Sequence, residues 1–225
     1  MGLLGAAVLA IWNDVVPGGD AEFNHWHTRE HVPERVGVPG FLRGRRYAAV
    51  SGSPTYFTLY ETESLETLRG GAYVARLNDP TPWTRRVLPL FRNNNRSACR
   101  VTQSLGRGVS GALATLRLGP RPEGEAELRA WLTGTTLPAV SEQPGIVGVH
   151  LCEADLGATR VPSQEQKLRD REDETARWII LIESGGTEPV ETVCRTFLDG
   201  EHLARHGGTA DSVLGVYRLL YCLGR

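Results

Sequence analysis

His27 and His31 lie four residues apart in the stretch FNHWHTREHVPERVGVPGFLRGRRY, Phe23 to Tyr47, with Glu30 between them. On a helix that spacing sets two imidazoles one above the other. Histidine titrates near neutral pH, so such a pair can take a proton from a substrate and return it. His27 is the expected general base, with His31 or Glu30 as its partner. Tyr60 and Tyr47 would hydrogen-bond a substrate oxygen, and Arg46 or Arg43 would hold an anionic group. Trp26 and Trp83 would supply apolar walls. The same pair of histidines has the spacing of two metal ligands. However, HTREH puts its glutamate just before the second histidine rather than just after the first, and no third ligand is evident. No metal and no cofactor is therefore assigned.

The stretch has an echo. Leu128 to Cys152, LRAWLTGTTLPAVSEQPGIVGVHLC, aligns with Phe23–Tyr47 without a gap. Trp26 falls on Trp131, Thr28 on Thr133, Pro33 on Pro138 and Pro39-Gly40 on Pro144-Gly145. The echo keeps scaffold residues and drops nearly all the titratable ones: His27 aligns with Leu132 and His31 with Thr136. Function is therefore expected in the first half. His25, Glu34 and Arg35 are assigned to the solvated face of the helix.

These residues need a scaffold that presents one helix to a sheet. Apolar runs and β-rich alternation predict strands at 6–12, 41–50, 55–61 and 96–104, with helices at 21–36 and 64–77. The second half repeats the order, with strands at 112–118, 146–153, 177–183 and 216–223 and helices at 124–140 and 189–205. Each half reads βαββαβ, the ferredoxin-like order. The expected fold is α+β, with residues 1–106 and 111–225 as two repeats joined by a linker at 107–110. Each repeat leaves one sheet face bare, and packing sheet to sheet would bury both. A charged run at 154–176, containing QEQKLRDREDE, separates two strands of the second half. It is expected to be a solvated loop, with a lid or interface arm as the sharper alternative.

Hydrophobic content of 40% and charged content of 23% suit a soluble globular chain, and a net charge of -1 argues against nucleic acid as a partner. Arg43, Arg45 and Arg46 are explained equally well by an exposed strand edge. Cys99, Cys152, Cys194 and Cys222 show no zinc spacing and read as core residues in a reduced compartment. The apolar start, MGLLGAAVLAIW, is too short to span a bilayer and reads as a strand. A cytoplasmic location, no membrane partner, and room for a homodimer follow as expectations.

Tryptophan followed by xxxEH, a proline, PGF and an RRY-type strand resembles the EthD-like branch of the dimeric α+β barrel superfamily. The resemblance covers Trp26–Tyr47 well and the first half fairly. It implies that the two repeats form, within one chain, the barrel that relatives make by dimerising. It also implies a small-molecule pocket between a sheet and its helices. The superfamily includes cofactor-free monooxygenases, cyclases, isomerases and lyases. The expected activity is therefore cofactor-independent proton abstraction from an aromatic or polyketide-like carbonyl or phenol. Two other readings stay open: a non-catalytic ligand binder on the same scaffold, and a histidine-liganded metal enzyme.

Overall fold

A computed structural model describes residues 2–169 and 172–225. Among them, eight strands close into one barrel: β1 (Ala7–Val15), β2 (Phe41–Ser51), β3 (Tyr56–Thr62), β4 (Phe91–Gly106), β5 (Ala112–Leu118), β6 (Ile146–Ala154), β7 (Trp178–Ser184) and β8 (Val213–Gly224). The first half contributes the order β4-β1-β3-β2, and the second the matching order β8-β5-β7-β6. The seams are β2 against β8 and β4 against β6, both antiparallel. The sheets thus do more than stack: their edges hydrogen-bond to each other, and none of the eight strands is left as an edge.

Closure gives the barrel a buried interior and an outer face that the helices cover in part. One core draws on all eight strands and no helix, including Val8, Ala10 and Trp12 of β1, Phe57 and Leu59 of β3, and Ile179 and Leu181 of β7. The alternate residues, among them Ala7 and Leu9 of β1 and Tyr60 of β3, face the helices outside. The period of two along a pleated strand makes this division.

Closure also corrects the reading of the arginines. β2 is not an edge, so Arg45 and Arg46 are buried. Arg45 and Arg43 are spent inside the barrel. Arg45 Nε lies 2.9 Å from Glu61, and its Nη1 donates to Glu183 at 3.0 Å. Arg43 makes two bonds to Glu61, at 2.9 and 2.7 Å. His150 Nε2 is 3.5 Å from Glu183, and its Nδ1 is 2.8 Å from the Ser104 hydroxyl. The alignment that sets Phe23 on Leu128 also sets Arg45 on His150. The two glutamates end matching strand motifs, LYE and LIE. One ionic cluster thus joins equivalent positions of both halves. Tyr47 also points into this core, with its hydroxyl unpartnered. Of the cysteines, Cys99, Cys152 and Cys194 are buried as expected, whereas Cys222 is exposed. Among the described residues, no helix is long and apolar enough to cross a membrane.

Candidate active site in the first half

The helix that carries the histidines is built in three pieces, Asp20–Trp26, His27–His31 and Val32–Val36. The middle piece is a π turn, in which Val32 N–H donates to the His27 carbonyl. Pro33 gives a local cause. It has no N–H for the Arg29 carbonyl, and its ring would crowd that group in an α-helix; the wider turn makes room. The second half has the same turn at Leu132–Thr136, ahead of Pro138, so it belongs to the scaffold. Its effect is to rotate the residues that follow. His31, Val32, Arg35 and Val36 are buried, where a straight helix would put Arg35 outside.

Arg35 therefore faces the sheet, against the expectation of a solvated face. It is only 2% exposed. The alignment held the clue, since Arg35 falls on Val140, a core residue of the second half. Gly44 of β2 lets this helix sit close: a Cβ there would come within 2.8 Å of Val32 and 3.1 Å of the Tyr60 ring. At the end of the helix, Gly40 and its counterpart Gly145 have φ of +87° and +83°, the left-handed conformation that glycine alone adopts freely.

A cavity of about 70 Å³ lies between the outer face of the first-half sheet and these helices. Leu9, Ile11 and Tyr60 line it from the sheet, His31 and Arg35 from the helix, Tyr73 from the helix Gly71–Asn78, and Arg96 from β4. Its roof comes from the other half. The run at 154–176, expected to be a solvated loop, folds across β4 as a strap with short helices at Leu156–Thr159 and Gln164–Leu168. Asp170 and Arg171, within that run, lie outside the described residues. Thr159 Oγ1 accepts from the Ala98 amide at 3.0 Å, and the Gln164 amide donates to Asn78 at 3.1 Å. Glu165 is buried and closes an ion pair with Arg35. Arg35 also bonds Glu34 at 3.1 Å, and Arg76 reaches Glu34 at 3.0 Å.

The Arg35–Glu165 pair is the latch of the strap, and one substitution tests it. Glu165→Gln keeps an acceptor and removes the charge, which weakens a charge-assisted bond by about 1.5–3 kcal/mol. Limited proteolysis between residues 155 and 176 is expected to speed up about tenfold or more, with the barrel left intact. Unchanged cleavage would show that the latch does not hold the strap.

His31 is the titratable group of the helix that reaches the cavity. Its ring lies 4.3 Å from Trp26 and 5.4 Å from His27, centroid to centroid. Its Nδ1 is buried with no hydrogen-bond partner, and Glu34 Oε2 lies 4.0 Å away. Burial, then the nearby Arg35, holds its pKa well below the usual histidine value. Across the cavity wall, the Tyr60 hydroxyl is also unpartnered, and burial raises its pKa, so it stays a donor.

The other expected site residues go elsewhere. His27 does not line the cavity. Its Nδ1 accepts from Arg46 Nε at 2.9 Å, and burial followed by Arg46 lowers its pKa well below the usual value. Arg46 is absorbed by the helix, through bonds to Thr28, the Asn24 carbonyl and the Asn24 side chain. Burial pulls its pKa down to about 10. Glu30 accepts from Thr81 at 2.6 Å, away from the cavity. Trp26 does not line the cavity; it packs in the core beneath His31, with its indole donating to Thr84 at 3.2 Å. Trp83 is half-buried against His25 and Glu22, and His25 is exposed as expected. Tyr47 and Arg43 belong to the barrel interior.

A metal site would differ from the expected pair of histidines. His31, Glu34 and Glu165 each offer a ligand atom, all within 4.8 Å of one another. Arg35 already bonds both carboxylates, so a metal ion there would have to displace a guanidinium.

No protein-family model matches the chain, and no curated protein matches it either. Solved structures do. An anthrone oxidase-like protein superposes with a TM-score of 0.63 at 14% identity, covering 97% of this chain and 92% of its own. A proposed monooxygenase of Fusobacterium nucleatum gives 0.62 at 11% identity, over 99% and 96%. A ferredoxin-fold protein of Listeria monocytogenes related to antibiotic biosynthesis monooxygenases gives 0.50 at 13%, over 97% of each chain. The chain has the fold of these proteins. At such identities the likeness is one of architecture, and the chemistry has to be argued from the site.

Proposed function

We propose that the chain is a small-molecule enzyme whose active site is the first-half cavity beneath the strap, with His31 as general base. The observation that carries this is a set of unpartnered polar atoms on residues that line one small cavity: His31 Nδ1 and the Tyr60 hydroxyl, with Asn94 Oδ1 beside them. Buried polar groups are nearly always satisfied, and these are brought to one cavity from the helix and the sheet, where a ligand could meet them. The second half fills the positions that match His31 and Tyr60 with Thr136 and Ile182. The scaffold therefore does not require them.

The proposed reaction is abstraction of a proton from a phenol or an enolisable carbonyl compound. His31 is neutral at pH 7 and takes the proton on Nδ1. Glu34, 4.0 Å away, offsets the imidazolium charge. Tyr60 donates to the substrate oxygen on which negative charge collects. Lyase, isomerase, cyclase and cofactor-independent monooxygenase outcomes all start from such an anion. The EthD-like motif and the anthrone oxidase-like and monooxygenase-related neighbours support a reading in this range. We read the barrel as two ferredoxin-like repeats, 1–106 and 111–225, fused through 107–110 into the arrangement that relatives reach by dimerising. A cavity of about 70 Å³ is roughly half the ~150 Å³ that admits benzene. An aromatic substrate therefore enters only as the strap moves.

The test is turnover on a panel of anthrones, phenols and enolisable ketones, followed by solvent deuterium exchange and dioxygen uptake. Tyr60→Phe is expected to cut kcat by about 10²–10³-fold, the usual effect of removing one donor to a developing oxyanion, with KM changed little. Turnover in Tyr60→Phe equal to that of the unaltered protein would remove Tyr60 from the mechanism. A non-catalytic binder would bind members of the panel and exchange none of them.

A further inference from the structure

The cavity wall carries more positive charge than its own carboxylates neutralise. Arg35 is taken by Glu165 and Glu34, and Arg169 by Asp173 at 2.7 Å. Arg96 has no carboxylate partner among the described residues. It is only 7% exposed, and its guanidinium donates to two neutral acceptors, the Thr159 carbonyl at 2.6 Å and the Tyr73 hydroxyl at 3.2 Å. Arg160, the next residue along the strap, lines the same cavity and is likewise without an ion pair among the described residues.

A buried guanidinium with no counter-charge is costly, and nothing in the scaffold demands one here. Ile11 pairs with Arg96 across β1 and β4, as Leu116 pairs with Leu214 across β5 and β8. The second half thus places leucine where the first places a buried cation.

We propose that Arg96, assisted by Arg160, binds the carboxylate of the ligand, and that the substrate is a small carboxylic acid with a short apolar body lying on Leu9 and Ile11. This rests on the reading of the cavity as the active site and narrows it. A carboxylate matches the planar fork of a guanidinium and supplies the missing charge, whereas an isosteric amide supplies none. Arg96 sits on β4 rather than on the strap, so it would hold the acid whatever position the strap takes. The strap takes part through the Thr159 carbonyl, which aims the guanidinium, and through Arg160.

The experiment is calorimetric titration of the full chain with propanoate and benzoate, and with propanamide and benzamide as neutral isosteres. The acids are expected to bind at least tenfold more tightly than their amides. Arg96→Gln is expected to weaken acid binding by about 10- to 100-fold and to leave the amides nearly unchanged. Arg96→Lys keeps part of the preference and guards against a Gln variant that fails to fold. Equal affinity of acid and amide, binding of neither, or a preference that survives Arg96→Gln would overturn the assignment. His31→Gln separates the two claims. If it keeps turnover while acids still bind through Arg96, the catalytic reading falls and the anion site stands.

Discussion

Replacing Arg45 with methionine is expected to cost the fold about 3–5 kcal/mol, because it leaves Glu61 and Glu183 buried without their shared cation. Both carboxylates are fully buried, and Arg45 sits between them at 2.9 and 3.0 Å. For a chain of this size the melting temperature should fall by about 6–20 °C. The loss should depend on pH with a definite sign. In the unaltered protein burial alone would raise the Glu183 pKa, but the bond from His150 and the charge of Arg45 outweigh it and hold the pKa below the ordinary glutamate value. A depressed carboxylate pKa stabilises the folded state at neutral pH, and that stability is lost as pH falls through the folded value. Without Arg45 the sign reverses. Burial then dominates at Glu183, which prefers to be protonated in the folded state, so the variant's deficit should shrink as pH falls towards 5. Urea unfolding at pH 7.5 and 5.0 measures it. A loss under 1 kcal/mol, or a deficit that grows in acid, would show that the barrel cluster is not held by Arg45.

The second large effect is catalytic. His31→Thr, which copies Thr136 of the second half, is expected to lower kcat by about 10²–10⁴-fold while the barrel stays folded. Because burial and Arg35 depress the His31 pKa, any kcat/KM that depends on His31 in the unaltered protein should stay level down through pH 6.5. It should fall only below that, as His31 takes a proton. The same shift affects stability. The unfolded chain binds protons at its histidines near pH 6.5, whereas buried His27 and His31 bind them only at lower pH. Folding stability should therefore decline as pH drops below about 6.5. His31→Thr should flatten part of that decline. An unchanged rate in this variant would remove His31 from the chemistry.

Much of the architecture was legible in the sequence, because strand alternation and helix spacing are local. The strand expected at 112–118 is the strand observed, Ala112–Leu118, and the other seven differ mainly at their ends. The internal echo located the polar half, and His31 and Tyr60 were within reach of it. The residues that were missed have particular causes. Arg35 was misplaced because the reading assumed 3.6 residues per turn through a π turn. Its alignment with Val140 would have corrected this. Glu165 was hidden because a charged run with few apolar residues looks like a solvated loop until the wall it latches onto is known. Arg45, Glu61, Glu183 and His150 meet only when β2 closes on β8, a pairing that no local pattern encodes. Glutamates ending both LYE and LIE were the available signal. His27 carried the same helical signal as His31, and only the geometry of Arg46 separates them.

A ligand in the cavity is expected to meet His31 and not His27. Histidine-selective ¹⁵N labelling, with titration of benzoate or a turnover-competent substrate from the panel, reads this directly. The His31 ring resonances should move on saturation and report a neutral imidazole at pH 7, while those of His27, held by Arg46, stay in place. Movement of His27 with His31 unmoved would contradict the account and return the base to the position first expected.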